Sequence, residues 1–163
     1  MALCKTEAIV VQATLFREYD KRVVLLTKDA GKLVGIAPYA VKSQKRFASG
    51  LQSLTHLTVI YDEKKQISLV RLQEVHIINA YTRLKENLNK MAYGSYFLEL
   101  ISEVMREKEP QAPLFDYLLS FLQALEKSRQ EELLSRLLEA RLLPQIGWKP
   151  DLAHCLHCKQ APV

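Results

Sequence analysis

The sequence predicts a small closed β-barrel followed by an all-helical region, and three observations predict it. The first 80 residues hold five short runs rich in Val, Ile, Leu, Thr and Tyr, separated by polar turns. After about Ala80 the apolar residues stop forming such runs and recur every three or four positions instead. One longer loop among the strands, residues 39–50, carries Lys42, Lys45 and Arg46 and no acid. Five short strands in an open sheet would leave two edges unpaired, and closure removes both.

The strands are justified in order. Residues 7–16 and 22–27 are rich in β-branched side chains, and residues 18–21 make a polar connection between them. Lys28-Asp-Ala-Gly31 is a turn with a glycine available for positive φ. The third strand, 32–37, ends at Pro38, which has no N–H to give to a ladder. After the basic loop, residues 51–61 alternate in part. The polar turn Asp62-Glu-Lys-Lys-Gln66 then leads into a fifth strand over 67–75.

The helices follow. Leu84, Leu88, Met91, Leu98, Ile101 and Met105 predict one helix up to Glu107. Glu109-Pro-Gln-Ala-Pro113 breaks it and starts a second, with Pro113 suited to the first turn. Leu114, Phe115, Leu118, Leu119, Leu122 and Leu125 give that helix an apolar face. A third carries Leu133, Leu134, Leu137, Leu138 and Leu142, and stops at Pro144 with Gly147 beyond. These leucines are expected to pack the helices together and against the barrel. The organisation is thus a barrel over 1–80, a helical domain over 81–146 and a cysteine-bearing segment over 147–163.

Composition narrows the function classes. The chain has 163 residues, 48% of them hydrophobic and 25% charged, which is globular rather than disordered. No apolar run approaches the ~18 residues of a membrane span, and the N-terminus has no apolar signal region. Three cysteines do not make a disulfide framework. A cytoplasmic protein with no membrane contact is expected. The formal charge of +5 is unevenly placed, because residues 1–80 hold twelve Lys and Arg against seven acids, which is the whole excess. From Lys21 to Arg46 the cations Lys21, Arg22, Lys28, Lys32, Lys42, Lys45 and Arg46 face only Asp29. A one-sided basic patch of that kind suits the phosphates of a nucleic acid. The alternative is a solvated basic surface or an adaptor face for an acidic protein tail.

Enzymatic chemistry finds little support. His56, His76, His154 and His157 are scattered outside any nucleophile–base signature, and the chain has neither a G-x-x-x-x-G-K-[ST] nor a G-x-G-x-x-G phosphate loop. The tail is different. Cys155-Leu-His-Cys158 places two thiolates at a spacing that suits tetrahedral zinc. Such a site needs four ligands, and residues 159–163 supply no Cys or His. His154 and His157 flank the pair too closely to surround one metal with it. Cys155 and Cys158 are therefore half of a zinc knuckle, and no tightly bound cofactor is expected in this chain.

Several stretches, in this order, resemble the bacterial recombination mediator family RecO along essentially the whole chain. They are Arg17-Glu-Tyr-Asp-Lys-Arg22, Thr27-Lys-Asp-Ala-Gly-Lys32 and Ala40-Val-Lys-Ser-Gln-Lys-Arg-Phe-Ala-Ser-Gly-Leu-Gln52. Met91-Ala-Tyr-Gly-Ser-Tyr-Phe-Leu-Glu-Leu100, Glu109-Pro-Gln-Ala-Pro-Leu-Phe115 and Gly147-Trp-Lys-Pro-Asp-Leu-Ala-His-Cys-Leu-His-Cys158 continue them. The resemblance implies an N-terminal OB-fold, a helical domain and, in a full-length form, zinc held by two cysteine pairs. It implies a non-enzymatic DNA repair and recombination protein that binds single- and double-stranded DNA without sequence preference and anneals complementary strands. The implied partners are RecR, RecF, RecA and the acidic tail of single-strand-binding protein. Family members are longer, with a second cysteine pair, so this chain is a fragment or a short variant. The residues expected at the DNA are Lys21, Arg22, Lys32, Lys42, Lys45, Arg46 and Phe47. Phe47 serves either as a stacking platform or as a plug for the barrel's end, with Tyr39 and Tyr19 as further aromatic candidates.

Overall fold

A computed structural model describes residues 2–43, 45–47, 49–63, 69–148, 154 and 157. The strands are β1 (Ala2–Leu15), β2 (Lys21–Thr27), β3 (Gly31–Ala37), β4 (His56–Glu63) and β5 (Val70–Asn79). The helices are α1 (Thr82–Lys85), α2 (Leu88–Val104), α3 (Ala112–Lys127) and α4 (Glu131–Gln145).

The strands close in the order β1-β2-β3-β5-β4 and back to β1. Closure depends on β1, whose 14 residues serve two neighbours. Its first part pairs with β4 from Ala2↔Glu63 to Ile9↔His56, and its later part pairs with β2 from Ala8↔Thr27 to Leu15↔Lys21. A register shift between Val10 and Gln12 bends the strand from one partner to the other. The ring is completed by a short parallel contact, Gly35↔Val70 and Ile36↔Arg71. Gly35 permits it, because a Cβ there would stand 2.2 Å from a Leu72 methyl. The topology is that of an OB-like barrel.

Two apolar cores share the barrel wall. Val10, Leu25, Leu33, Leu57 and Leu72 fill its interior. Ile9, Leu26 and Leu54 turn outward and join Leu84, Phe97, Ile101, Phe115, Leu118 and Phe121 in the second core. The helices thus pack on each other and on the barrel, as the leucine spacing predicts. The two parts are joined at Tyr81, a buried residue at φ 47 whose N–H donates to Asn79 Oδ1 at 2.8 Å. They are clamped again where residues 106–108 run along the β2–β3 turn. Lys32 N–H donates to Arg106 O at 3.1 Å, and Lys108 N–H donates to Lys32 O at 3.2 Å.

The helices depart from expectation at three places. The first predicted helix is two, because Asn87 takes an extended backbone and its side chain accepts the Lys90 N–H, capping α2. Leu88 is then left in solvent. On α4, Leu134, Leu138 and Leu142 face the core, while Leu133 and Leu137, about 100° around the helix, are exposed. Pro144 lies inside the last turn of α4 rather than after it, and Gly147 at φ 86 ends the helix with its N–H on Pro144 O.

Candidate nucleic-acid interface

The loop from β1 to β2 closes on itself where Phe16 N–H donates to Asp20 O at 2.9 Å. Two further bonds tie it to the turn that follows β3. Asp20 Oδ1 accepts the Tyr39 N–H at 2.9 Å, and Tyr19 O accepts the Val41 N–H at 3.1 Å. Tyr39 is held at φ 56, an uncommon conformation for an aromatic residue, and its carbonyl accepts the N–H groups of Lys42 and Ser43. The two tyrosine rings stand nearly parallel, 9° between planes with centroids 6.4 Å apart. Lys42 Nζ sits 3.5 Å from the centre of the Tyr19 ring, and the Arg17 guanidinium lies 5.4 Å from that of Phe16.

This rim borders an open groove of ≈740 Å³. Its other walls are Ile36 and Pro38 at the end of β3 and Leu69, Val70 and Arg71 at the start of β5. Glu18 and Asp20 also line it. In five-stranded barrels of this topology, the 1–2 and 4–5 loops and the face of strands 2 and 3 are where oligonucleotides bind. Register adds a band of cations across that face. Arg71 pairs with Ile36, Ile36 with Arg22, and Arg22 with Thr14, so two exposed guanidiniums flank Ile36 on neighbouring strands.

The predicted residues divide. Lys42 and the exposed Lys45 belong to the loop beside the groove, Lys21 opens β2 next to it, and Arg22 lies in the cross-strand row. Arg46 is half-buried and turned inward, donating to Ser43 Oγ and to Pro38 O at 3.0 Å each. Lys32 does not join them, because its Nζ donates to Ser102 O at 2.7 Å, against α2. Phe47 offers no stacking face. It is 1% exposed and belongs to the barrel's core, so of its two expected roles it takes the plug. Among the aromatics that line the groove, the exposed ones are Phe16 and Tyr39.

Arg17, Phe16 and Arg71 were missed as site residues. Their signal is topological, since the 1–2 and 4–5 loops of such a barrel meet although they lie some fifty positions apart in sequence. Cys155 and Cys158 lie outside the described residues, while His154 and His157 are exposed. Among the described residues no group of three or more His, Cys, Asp or Glu could hold a metal ion. No helix among them is long and apolar enough to cross a membrane.

Comparison with known proteins agrees with this architecture. The family described as "Recombination protein O N terminal" matches residues 1–81, and "Recombination protein O C terminal" matches residues 85–162. The DNA repair protein RecO of Symbiobacterium thermophilum is 35% identical over 97% of this chain and 62% of its own length. That of Syntrophotalea carbinolica is 33% identical over 97% and 61%, and that of Bacillus subtilis 30% over 96% and 61%. The chain therefore spans about three-fifths of the length of the curated relatives it matches. With two matches covering nearly all of it in the right order, the chain belongs to the recombination protein O family.

Proposed function

We propose that this chain is a non-enzymatic, DNA-binding mediator of recombinational repair. It binds single- and double-stranded DNA of any sequence through the barrel, anneals complementary strands, and acts in the cytoplasm at the nucleoid. With RecR and RecF it helps load RecA onto DNA coated by single-strand-binding protein, whose acidic tail it contacts. Zinc belongs to a full-length form in which a second cysteine pair completes the shell of Cys155 and Cys158. Family membership supports the pathway, and the groove supports the binding.

One observation carries the reading. The groove joins exposed aromatics to Arg17, Lys42 and Arg71 at the loops where this barrel type takes oligonucleotides. Phosphate contacts need no chemical step, so annealing of complementary strands should proceed without ATP or added metal. The test is annealing of labelled strands beside anisotropy titrations over a range of salt. A steep log–log salt dependence, alike for unrelated sequences, is expected. Weak DNA affinity at every salt concentration would favour the adaptor alternative, in which the basic barrel binds an acidic protein tail.

A further inference from the structure

A second cleft, of ≈520 Å³, lies between the outer face of the barrel and α2, and its size is within the usual range of ligand sites. Its floor is apolar. Val24 and Val34 are cross-strand partners that point outward, since their neighbours Val23, Leu25 and Leu33 fill the barrel. The helices cover the next outward residue, Leu26, but the two valines stay half-buried and belong to neither core. One wall is acidic. Glu99 and Glu103 stand four residues apart on α2, Glu107 follows beyond its end, and all three are exposed. Like charges at that spacing repel, and among the described residues none of the three is in an ion pair. Lys32 on the opposite wall does not relieve them, because its Nζ donates to Ser102 O at 2.7 Å. Ser102 gives an independent sign. It is 7% exposed and lines the cleft, and its hydroxyl has no hydrogen-bond partner among the described residues. A hydroxyl left unbonded at that depth costs free energy that an incoming polar group would remove.

We infer that this cleft docks a short extended segment of a partner protein, one that carries apolar side chains and lysines or arginines. Its apolar side chains cover Val24 and Val34, and its cations meet Glu99, Glu103 and Glu107. Its backbone amides supply the partner that the Ser102 hydroxyl lacks. An extended segment suits the arrangement, because alternate side chains point to opposite sides. One side is then free to lie on the valine floor, while lysine stems from the other reach the acidic wall. Nucleic acid is a poor occupant, since carboxylates facing phosphates repel, and an acidic protein tail is disfavoured for the same reason. The cleft shares no lining residue with the groove at the 1–2 loop, so the inference does not rest on the DNA-binding reading.

The experiment uses the whole chain and anisotropy with three labelled decapeptides, of alternating Lys and Leu, Lys and Ser, and Glu and Leu. The Lys–Leu peptide should bind roughly tenfold or more tightly than either of the others. Glu99→Gln with Glu103→Gln should weaken it roughly fivefold, at about twofold or more for each exposed charge pair lost. Val24→Thr with Val34→Thr keeps the branched strand shape and should weaken the Lys–Leu peptide but not the Lys–Ser one. Glu131→Gln with Glu132→Gln, an acid pair in the first turn of α4, should change nothing, which guards against general attraction to acidic surface. Failure of wild type to bind the Lys–Leu peptide would overturn the inference. So would equal binding of the Lys–Leu and Lys–Ser peptides, or an equal loss in the α2 and α4 variants. Spermidine binding as tightly as the Lys–Leu peptide, and weakened by the α2 change, would make the cleft a polyamine site and overturn the protein partner.

Discussion

Arg46 and Lys42 stand four residues apart in one basic loop, yet they spend their charge differently. Arg46 holds the loop's shape by bonds to Ser43 Oγ and Pro38 O, while Lys42 lies over an aromatic ring at the groove. Changing Arg17, Lys42 and Arg71 together to Ala should lower the log–log salt slope of DNA binding by roughly 2–3, at ~0.7–0.9 per phosphate contact. Lys32→Ala should leave the slope unchanged, because that ammonium is committed to Ser102 O. An unaltered slope in the triple variant would place the DNA elsewhere. Arg46→Ala should cost about 1–2 kcal/mol in a urea melt, since it strands a half-buried carbonyl. His56 gives a pH dependence. Burial against α3, with its ring edge to Phe115, holds its pKa below 6.5, and the Glu7 carboxylate at 3.2 Å works in the opposite direction. The folded chain therefore takes up this proton at lower pH than the unfolded chain. The contribution of neutral His56 is complete above about pH 6.5 and is lost as pH falls below it. The melting temperature should fall as pH drops below about 6.5, and His56→Gln should flatten that part of the curve.

At the scale of elements, the β2–β3 hairpin does two jobs at its two ends. Its turn grips the helical region and its open end borders the groove. Gly31 is the critical residue of the turn. It sits at φ 65, and a Cβ there would stand 2.3 Å from Glu109 O and 2.8 Å from Arg106 O, both backbone atoms that cannot yield cheaply. Gly31→Ala should destabilise the chain by roughly 2–4 kcal/mol, combining a left-handed backbone with overpacking. DNA affinity of the fraction that remains folded should change little, as the groove lies at the other end of the hairpin. Urea melts with anisotropy below the transition check both halves. The turn glycine, the existence of five strands and the proline-led start of α3 were legible in sequence, because alternation and turn chemistry are local. Strand ends were not: β1 starts at Ala2 rather than residue 7, β4 at His56 rather than residue 51, and β5 runs on to Asn79. The clamp partner was not, since residues 106–108 reach Lys32 only through the fold. Asn87 was overlooked because the apolar spacing continues across it, although its side chain caps α2. Phe47 stayed open between stacking platform and plug for the same local reason. Adjacency to Arg46 in sequence suggested a shared surface, but the loop turns its ring into the core and leaves the site's aromatics to Tyr19 and Tyr39.

Over the whole molecule, charge and packing assign separate tasks to the two parts. Residues 1–80 hold the entire net charge of +5. Glu99 and Glu103 of α2, with Glu107 beyond its end, line a cleft opposite Arg22 and Lys32. Under the proposed function a polyanion is drawn to the barrel rather than to residues 81–163, which carry no net charge. Among the described residues, packing joins the two parts through one shared core. The second core runs from Ile9 and Leu26 of the barrel to Leu138 and Leu142 of α4, with Ile146 packed against it. Cys155 and Cys158 can fill only half of a tetrahedral shell, so the zinc proposal makes a sharp contrast. In the 163-residue chain, Cys155→Ser with Cys158→Ser should shift the melting temperature by less than roughly 2 °C, under ~1 kcal/mol for a chain of this size. In a chain extended through a second cysteine pair, the same change should release zinc and destabilise the C-terminal region, because metal binding there is coupled to folding. Elemental analysis beside thermal melts of both lengths decides it. One tightly held zinc per 163-residue chain would refute the half-site and bring His154 or His157 into the shell. Half a zinc per chain, found only in a dimer, would mean that two chains share one metal through their four cysteines.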